Sequence, residues 1–177
     1  MTLWSATMVA VISYLDFIGQ FGGMEYDDFL IAVHHPYLLV LEREELDEHA
    51  FRTVKFTPEL LKRARGKVVN VLRVNKRPGA NSFSMITVGR SNNNDVILHS
   101  PEISKFHAYL KDIGDGEWVV VDANSHNGTF VNSSRVRPEV ETRLQSGTRI
   151  GVGNTQMIFY LPIELYDRIQ TDKLTYT

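Results

Sequence analysis

Short runs of β-prone residues, separated by turn-forming residues, fill the chain from residue 67 to residue 162, and this pattern most limits the possible folds. The intervening segments are rich in Gly, Asn, Ser and Asp, which favour tight turns. Many short strands at such spacing predict a β-sandwich of two antiparallel sheets. The predicted strands are Val68 to Val74, Ser84 to Val88, Val96 to Leu98, Ala108 to Asp112, Trp118 to Val121, Thr129 to Val131, Arg149 to Val152 and Met157 to Leu161.

Three polar segments, residues 89–91, 104–107 and 125–129, lie at the ends of predicted strands and are therefore predicted to be loops. Loops on a rigid sheet are where binding residues concentrate. Arg90 supplies a guanidinium, Lys105 an ammonium and Ser104 a hydroxyl, a set of donors that suits a phosphate. The carboxamide of Asn127 both donates and accepts, so it could contact a peptide backbone. Gly128 after it fits a turn that requires positive φ.

The order of these motifs resembles the forkhead-associated (FHA) domain, a family that reads phosphothreonine peptides. The resemblance spans roughly residues 67–162. It implies an FHA-like β-sandwich whose binding loops cluster at one end. The residues that carry it are Gly-Arg at 89–90, Asn-Asp-Val-Ile-Leu at 94–98, Ser-x-x-His-Ala at 104–108 and Asn-Gly-Thr-Phe-Val-Asn at 127–132.

The resemblance also implies roles for individual residues. Arg90 and Ser104 would bind the phosphate with help from Lys105. The peptide backbone and pocket would be contacted by Asn127, His126 and Asn132, and the loops would be shaped by Gly89, His107, Gly128 and Thr129. The chain departs from the family pattern at three positions: Lys105 stands where Arg is commoner, His126 where Thr is usual, and Ser133 where Gly often follows Val-Asn.

The sequence divides into an N-terminal extension of residues 1–66, an FHA domain of residues 67–162, and a C-terminal helix and tail of residues 163–177. In the extension, an amphipathic helix is predicted from Leu3 to Ile18, ended by Gly19 and the Gly22-Gly23 pair, with a second helix over 57–65. Phe29 to Val33 and Tyr37 to Leu41 are β-prone and could form a hairpin-like pair or a bent extended stretch.

The apolar stripe of the first helix is expected to dock on the FHA-like core or on the segment that follows the helix; the alternative is self-association through residues 1–23. The residues of this stripe are Trp4, Met8, Val11, Leu15 and Ile18.

Composition excludes several classes of function. The absence of Cys excludes disulfides and thiolate metal sites and permits a cytoplasmic location. A net charge of −2 argues against a nucleic-acid binder, and the basic stretch from Lys62 to Arg77 has no interleaved aromatic residues. The apolar N-terminus is interrupted by Asp16, short of the ~20 residues that span a bilayer, so we expect no membrane span.

No catalytic, metal or cofactor site is predicted. Ser104 with His107 and Ser125 with His126 lack a nucleophile elbow and a third orienting group. The resemblance therefore implies a non-enzymatic, phosphothreonine-dependent interaction module in Ser/Thr kinase signalling, whose partner is a phosphorylated protein such as a kinase or its substrate. The alternative is a phospho-independent scaffold or assembly subunit that uses the N-terminal extension as its interface.

Overall fold

The computed structural model describes residues 11–41 and 68–176, so the predicted helix over 57–65 lies outside the described residues. Three helices are described: α1 (Tyr14–Phe21), α2 (Tyr26–Ala32) and α3 (Pro162–Tyr176). The strands are β1 (Ile12–Ser13), β2 (Tyr37–Leu41), β3 (Val68–Arg73), β4 (Ile86–Gly89), β5 (Val96–Ile97), β6 (Ala108–Gly114), β7 (Glu117–Asp122), β8 (Thr129–Val131), β9 (Ser134–Arg135), β10 (Thr142–Leu144), β11 (Arg149–Val152) and β12 (Thr155–Tyr160).

The strands form two sheets, which confirms the predicted β-sandwich. A seven-stranded sheet has the order β1-β3-β2-β12-β11-β8-β9, and a five-stranded sheet has the order β10-β7-β6-β4-β5. Neighbouring strands are antiparallel except β4 and β5, which run parallel with Val88 opposite Val96. The loop that carries Arg90 connects this parallel pair.

One apolar core lies between the sheets. Side chains alternate along each strand, so one face of every strand points inward. The five-stranded sheet contributes residues such as Val88, Leu110 and Val120, and the seven-stranded sheet contributes Met157 and Phe159, all at most 2% exposed. This core fixes the strand ends from which the polar loops emerge.

A second core covers the other face of the seven-stranded sheet, where the three helices pack. In β2, Leu38 faces the first core while Tyr37 and Leu39 face the helices. The strand is therefore buried on both faces, which explains its continuous apolar sequence. From α3, Leu165 and Ile169 are fully buried in this core.

The first helix differs from the prediction. It begins at Tyr14 because the Ser13 hydroxyl accepts a hydrogen bond from the Asp16 N–H and caps it, and it continues through Gly19 to Phe21. Its buried face consists of aromatic residues, whereas the predicted inward residue Leu15 is 59% exposed. The part of the prediction over residues 1–10 lies outside the described residues.

The predicted strand at Phe29 to Val33 is wrong, because residues 26–32 form α2. Asp27 and Asp28 in the first turn favour a helix N-terminus, and Phe29 is the buried anchor of this helix. A five-residue apolar run cannot distinguish the two structures by periodicity. The predicted strand Tyr37 to Leu41 is present as β2.

The predicted boundary at residue 67 separates segments that share one sheet, since β2 pairs with both β3 and β12. The division at 66 and 162 therefore stays a prediction about sequence segments. Within the described residues, no helix is both long and apolar enough to cross a membrane.

Candidate phosphopeptide-binding site

The loop after β4 is bonded directly to the loop after β5. The Arg90 N–H donates to the Ser104 carbonyl at 3.1 Å, and the Ser91 N–H donates to the Lys105 carbonyl at 3.3 Å. Asn94, only 2% exposed, ties both loops together, since its side-chain amide donates to the carbonyls of Ser91 at 2.8 Å and Lys105 at 2.6 Å. The backbones that carry Arg90, Ser104 and Lys105 are thus held side by side.

This close approach requires a glycine at position 89. A Cβ there would collide with the Lys105 carbonyl oxygen and lie 2.9 Å from the side-chain nitrogen of Asn94. Backbone atoms cannot move aside as a flexible side chain can. Gly89 therefore shapes the loop. The glycine is required by the close contact with Lys105 and not by its φ angle.

His107 connects the loop after β5 to the loop after β7. Its ring is fully buried, its Nδ1 accepts from the Ser104 N–H at 3.1 Å, and its Nε2 lies 3.1 Å from the Gly128 carbonyl oxygen. These partners require a neutral ring with the proton on Nε2. Burial lowers the pKa of His107 below its ordinary value, against the opposing effects of Gly128 and Asp122.

The hydroxyl of Ser104 is oriented by the third loop. Its Oγ accepts a hydrogen bond from the His126 N–H at 3.1 Å. A hydroxyl has one hydrogen to donate, and this arrangement leaves that hydrogen available to a phosphate oxygen. The three polar loops predicted from the sequence therefore converge.

Asp122 organises the loop that carries Asn127. Its carboxylate accepts from the Ser125 hydroxyl and the Thr129 hydroxyl, each at 2.6 Å, and from the Ser125 N–H at 3.1 Å. Burial raises the pKa of Asp122, but these hydrogen bonds outweigh it and hold the pKa below its ordinary value. The loop is therefore built around a buried carboxylate, with Thr129 as one of its structural residues.

Asn127 already has a partner in the structure. Its side-chain nitrogen donates to the Glu102 carbonyl at 2.7 Å and to a Glu102 carboxylate oxygen at 2.9 Å. Asn132 lies further along, in the turn between β8 and β9, with φ of 49°. Its carboxamide oxygen accepts from the Arg149 N–H at 3.1 Å and its own N–H donates to the Arg149 carbonyl at 2.9 Å, so its described contacts hold the end of β8 against β11.

The two cations of the site are exposed, and their charged groups are not used by the described part of the fold. The four ion pairs among the described residues are Lys76–Asp95, Lys111–Glu141, Arg143–Glu117 and Arg168–Asp172. They include neither Arg90 nor Lys105. Both side chains are thus available to an anion, on a backbone that is fixed by the contacts above.

Two cations of the basic stretch, Lys76 and Arg77, make structural contacts instead. Lys76 contacts the buried Asp95 at 2.7 Å, and the Arg77 guanidinium bonds the carbonyls of Asn92 and Asn94. Burial raises the pKa of Asp95, but bonds from Arg77, Lys76 and Thr87 hold it below its ordinary value. These contacts hold the loop after β4 against the segment between β3 and β4.

The comparison with protein families agrees with the geometry. Residues 86–153, from β4 to the turn after β11, match the family model of the FHA domain. The chain contains an FHA domain. As a family, FHA domains are binding modules. The matched range includes all the predicted site residues, from Gly89 to Asn132.

Two relatives are similar to this chain over part of its length. The oxoglutarate dehydrogenase inhibitor of Corynebacterium efficiens is 37% identical over 73 residues, which are 41% of this chain and 49% of that protein. The transcriptional regulatory protein EmbR of Mycobacterium tuberculosis is 32% identical over 74 residues, 42% of this chain and 18% of that protein. The chain thus spans about half of the first relative and less of the second.

Solved FHA domains superpose on the chain. A solution structure from Arabidopsis thaliana gives a TM-score of 0.47 at 24% identity, covering 72% of this chain and 85% of that one. The CT664 FHA domain of Chlamydia trachomatis gives a TM-score of 0.47 at 17% identity, covering 71% of this chain and 96% of that one. The family assignment itself follows from the matched family model and the motif residues.

Sequence reasoning assigned no role in the site to three residues that organise it. Asn94 was named only as part of the motif at 94–98, and neither Asp122 nor Glu102 was named. The signal for Asp122 was present, since Ser125 and Thr129 follow at intervals from which short hydroxyl side chains can reach back to a carboxylate. The contact of Glu102 with Asn127 is between loops and left no local signal.

Proposed function

We propose that this FHA domain is a phosphothreonine-dependent interaction module, in which Arg90, Ser104 and Lys105 bind the phosphate and Asn127 contacts the peptide backbone. The observation that carries the proposal is the convergence of three loops around two exposed cations and an oriented hydroxyl. A phosphate accepts several charge-assisted hydrogen bonds, and a guanidinium supplies two in parallel.

Three to five such bonds, at ~1.5–3 kcal/mol each and less the cost of association, give a binding free energy of about −7 to −9 kcal/mol. This corresponds to about micromolar affinity, which suits reversible signalling. A Glu in place of the phosphothreonine carries less charge and fewer acceptor oxygens, so phosphomimetic peptides bind poorly.

The proposed partner is a phosphorylated protein of a Ser/Thr kinase pathway, and the proposed location is the cytoplasm. The proposed activity is recognition without catalysis: His107 is buried and engaged on both ring nitrogens, so it has no free nitrogen to act as a base towards Ser104. His126 and Asn132 are proposed to contribute to the rim of the pocket.

The runner-up is a phospho-independent scaffold that uses the N-terminal extension. The aromatic face of α1 is buried against the seven-stranded sheet. Self-association through residues 1–23 would therefore use the exposed side of α1, or residues 1–10, which lie outside the described residues. An intact set of exposed phosphate ligands favours the phosphate-dependent function.

The test is calorimetric titration with pools of phosphothreonine peptides of randomised flanks and with the same pools unphosphorylated. Wild-type protein is expected to bind only the phosphorylated pools. Arg90→Ala is expected to weaken binding at least 30-fold, from the loss of ~2–3 kcal/mol of charge-assisted bonding. Arg143→Ala, which removes an exposed arginine from β10, is the matched control. Equal binding of both kinds of pool would overturn the proposal.

A further inference from the structure

A third cation, Arg135, lies against the loop that carries Asn127. Strand β9 pairs with β8, with Arg135 opposite Phe130, and this hairpin brings the Arg135 side chain back over Gly128. A Cβ on Gly128 would lie 2.6 Å from the Arg135 Nε and 2.9 Å from its Cζ. The guanidinium therefore occupies the space that any other side chain at position 128 would fill.

The surface under this guanidinium is rigid. Gly128 has φ of +85°, its N–H donates to the Ser125 hydroxyl at 3.0 Å, and its carbonyl accepts from His107. A side chain that rests on a fixed backbone has lost part of its rotational freedom before a ligand arrives. The ordering cost that usually weakens exposed arginine contacts is thereby reduced.

The charge of Arg135 is not matched within the described residues. The residue is exposed, and it belongs to none of the four ion pairs described above. The carboxylate of Glu102 lies in the same area, but its described contact is the hydrogen bond to Asn127. A planar cation is thus presented beside the residue proposed to read the peptide backbone, and it favours an anionic ligand.

The distance limits which part of a ligand could reach it. Ser104 Oγ lies 3.1 Å from the His126 N, and Gly128 is two residues further along. The guanidinium is therefore at most about 16 Å from Ser104 Oγ. An extended peptide advances ~3.3 Å per residue, and its side chains add several ångströms of reach.

We infer that Arg135 binds an anionic side chain of the same ligand, within five residues of the phosphothreonine. This inference rests on the proposed function and adds a second requirement to it. The anion is a carboxylate or a second phosphate, because the guanidinium fork fits both. Arg135 thus selects acidic or doubly phosphorylated ligands among all phosphothreonine peptides.

The test is a position scan by fluorescence anisotropy. Each peptide carries one phosphothreonine in a neutral background and one Glu, or one further phosphothreonine, placed at each position from five before to five after. At one or two neighbouring positions, wild-type protein is expected to gain about threefold to fivefold in affinity from Glu and more from the second phosphate. Arg135→Gln is expected to abolish this gain and to bind the neutral peptide almost normally.

Arg137→Gln is the matched control, since it removes the same charge from an exposed position two residues further on. It is expected to keep the gain. The inference is overturned if no position shows a gain, or if both variants reduce it equally, because the effect is then one of net charge. A gain from phosphate but not from Glu narrows the ligand to doubly phosphorylated peptides. Failure of the proposed function is distinct: the neutral phosphothreonine peptide would then not bind wild-type protein at all.

Discussion

Replacement of His107 by Ala tests whether this buried ring holds the loop after β5 against the loop after β7. The ring is fully buried and makes two hydrogen bonds, to the Ser104 N–H and the Gly128 carbonyl. Two lost bonds at ~1 kcal/mol each and a cavity of similar cost give a loss of about 3 kcal/mol in unfolding free energy. At ~2–4 °C per kcal/mol for a protein of this size, the melting temperature should fall by about 10 °C.

The same change should weaken phosphopeptide binding about tenfold, because Ser104 and Asn127 would no longer be fixed relative to each other. Urea unfolding measures the first effect and fluorescence anisotropy the second. His99→Ala is the control, since His99 is exposed at the end of β5, and it should change stability by less than ~0.5 kcal/mol. Wild-type affinity in a folded His107→Ala protein would refute the reasoning.

The pH dependence of stability provides an independent check on His107. Burial holds its pKa below the ordinary value, so the unfolded chain binds the proton more readily than the folded protein. The contribution of the neutral ring is complete above about pH 6.5 and is lost as the pH falls below it. His107→Gln removes this contribution, so its stability should fall less than that of wild type from pH 7.5 to 5. Identical slopes would contradict the assignment.

Four further substitutions have expected outcomes. Gly89→Ala should lower the unfolding free energy by about 2 kcal/mol and weaken phosphopeptide binding, because its Cβ meets the Lys105 carbonyl. Gly19→Ala, whose Cβ lies in open space within α1, should raise the unfolding free energy by ~0.5–1 kcal/mol. Changes of the same sign in the two variants, measured by urea unfolding, would contradict this. Ser133→Gly should stabilise by up to ~1 kcal/mol, because residue 133 has φ of 69°, and no gain in melting temperature would argue against strain there. Asp122→Asn should reduce the loss of unfolding free energy below about pH 4, because wild type loses there the stabilisation from a carboxylate with a lowered pKa. An unchanged acid unfolding transition, followed by circular dichroism, would show that Asp122 does not stabilise the fold in this way.

The β-sandwich was predictable because the sequence pattern that indicates its strands and turns is local. Alternating runs such as Ala108 to Asp112 show which face is buried, and turn residues between the runs mark their ends. The loop positions of Arg90, Ser104 and Asn127 followed from the same pattern. The resemblance to the FHA family then supplied their order and spacing.

The features that the sequence did not predict depend on contacts between distant segments of the chain. The short apolar run at Phe29 became a helix because it packs on the seven-stranded sheet, a contact that its own periodicity does not encode. In α1, Phe17 and Phe21 are buried and Leu15 is exposed, because the aromatic side chains pack in the second core, a contact that the helical spacing does not encode. The contacts of Glu102 with Asn127 and of Arg135 with Gly128 likewise join residues that neighbour each other only in the folded chain.

The central claim is that one phosphate is held between the loops after β4, β5 and β7. It is tested most directly by nuclear magnetic resonance of the ¹⁵N-labelled protein during titration with a phosphothreonine peptide. The backbone amides of Arg90, Ser91, Lys105 and His126 are expected to shift together and to saturate with one dissociation constant, while the unphosphorylated peptide leaves them unchanged. Shifts confined to another surface, or shifts that are equal for both peptides, would contradict the claim.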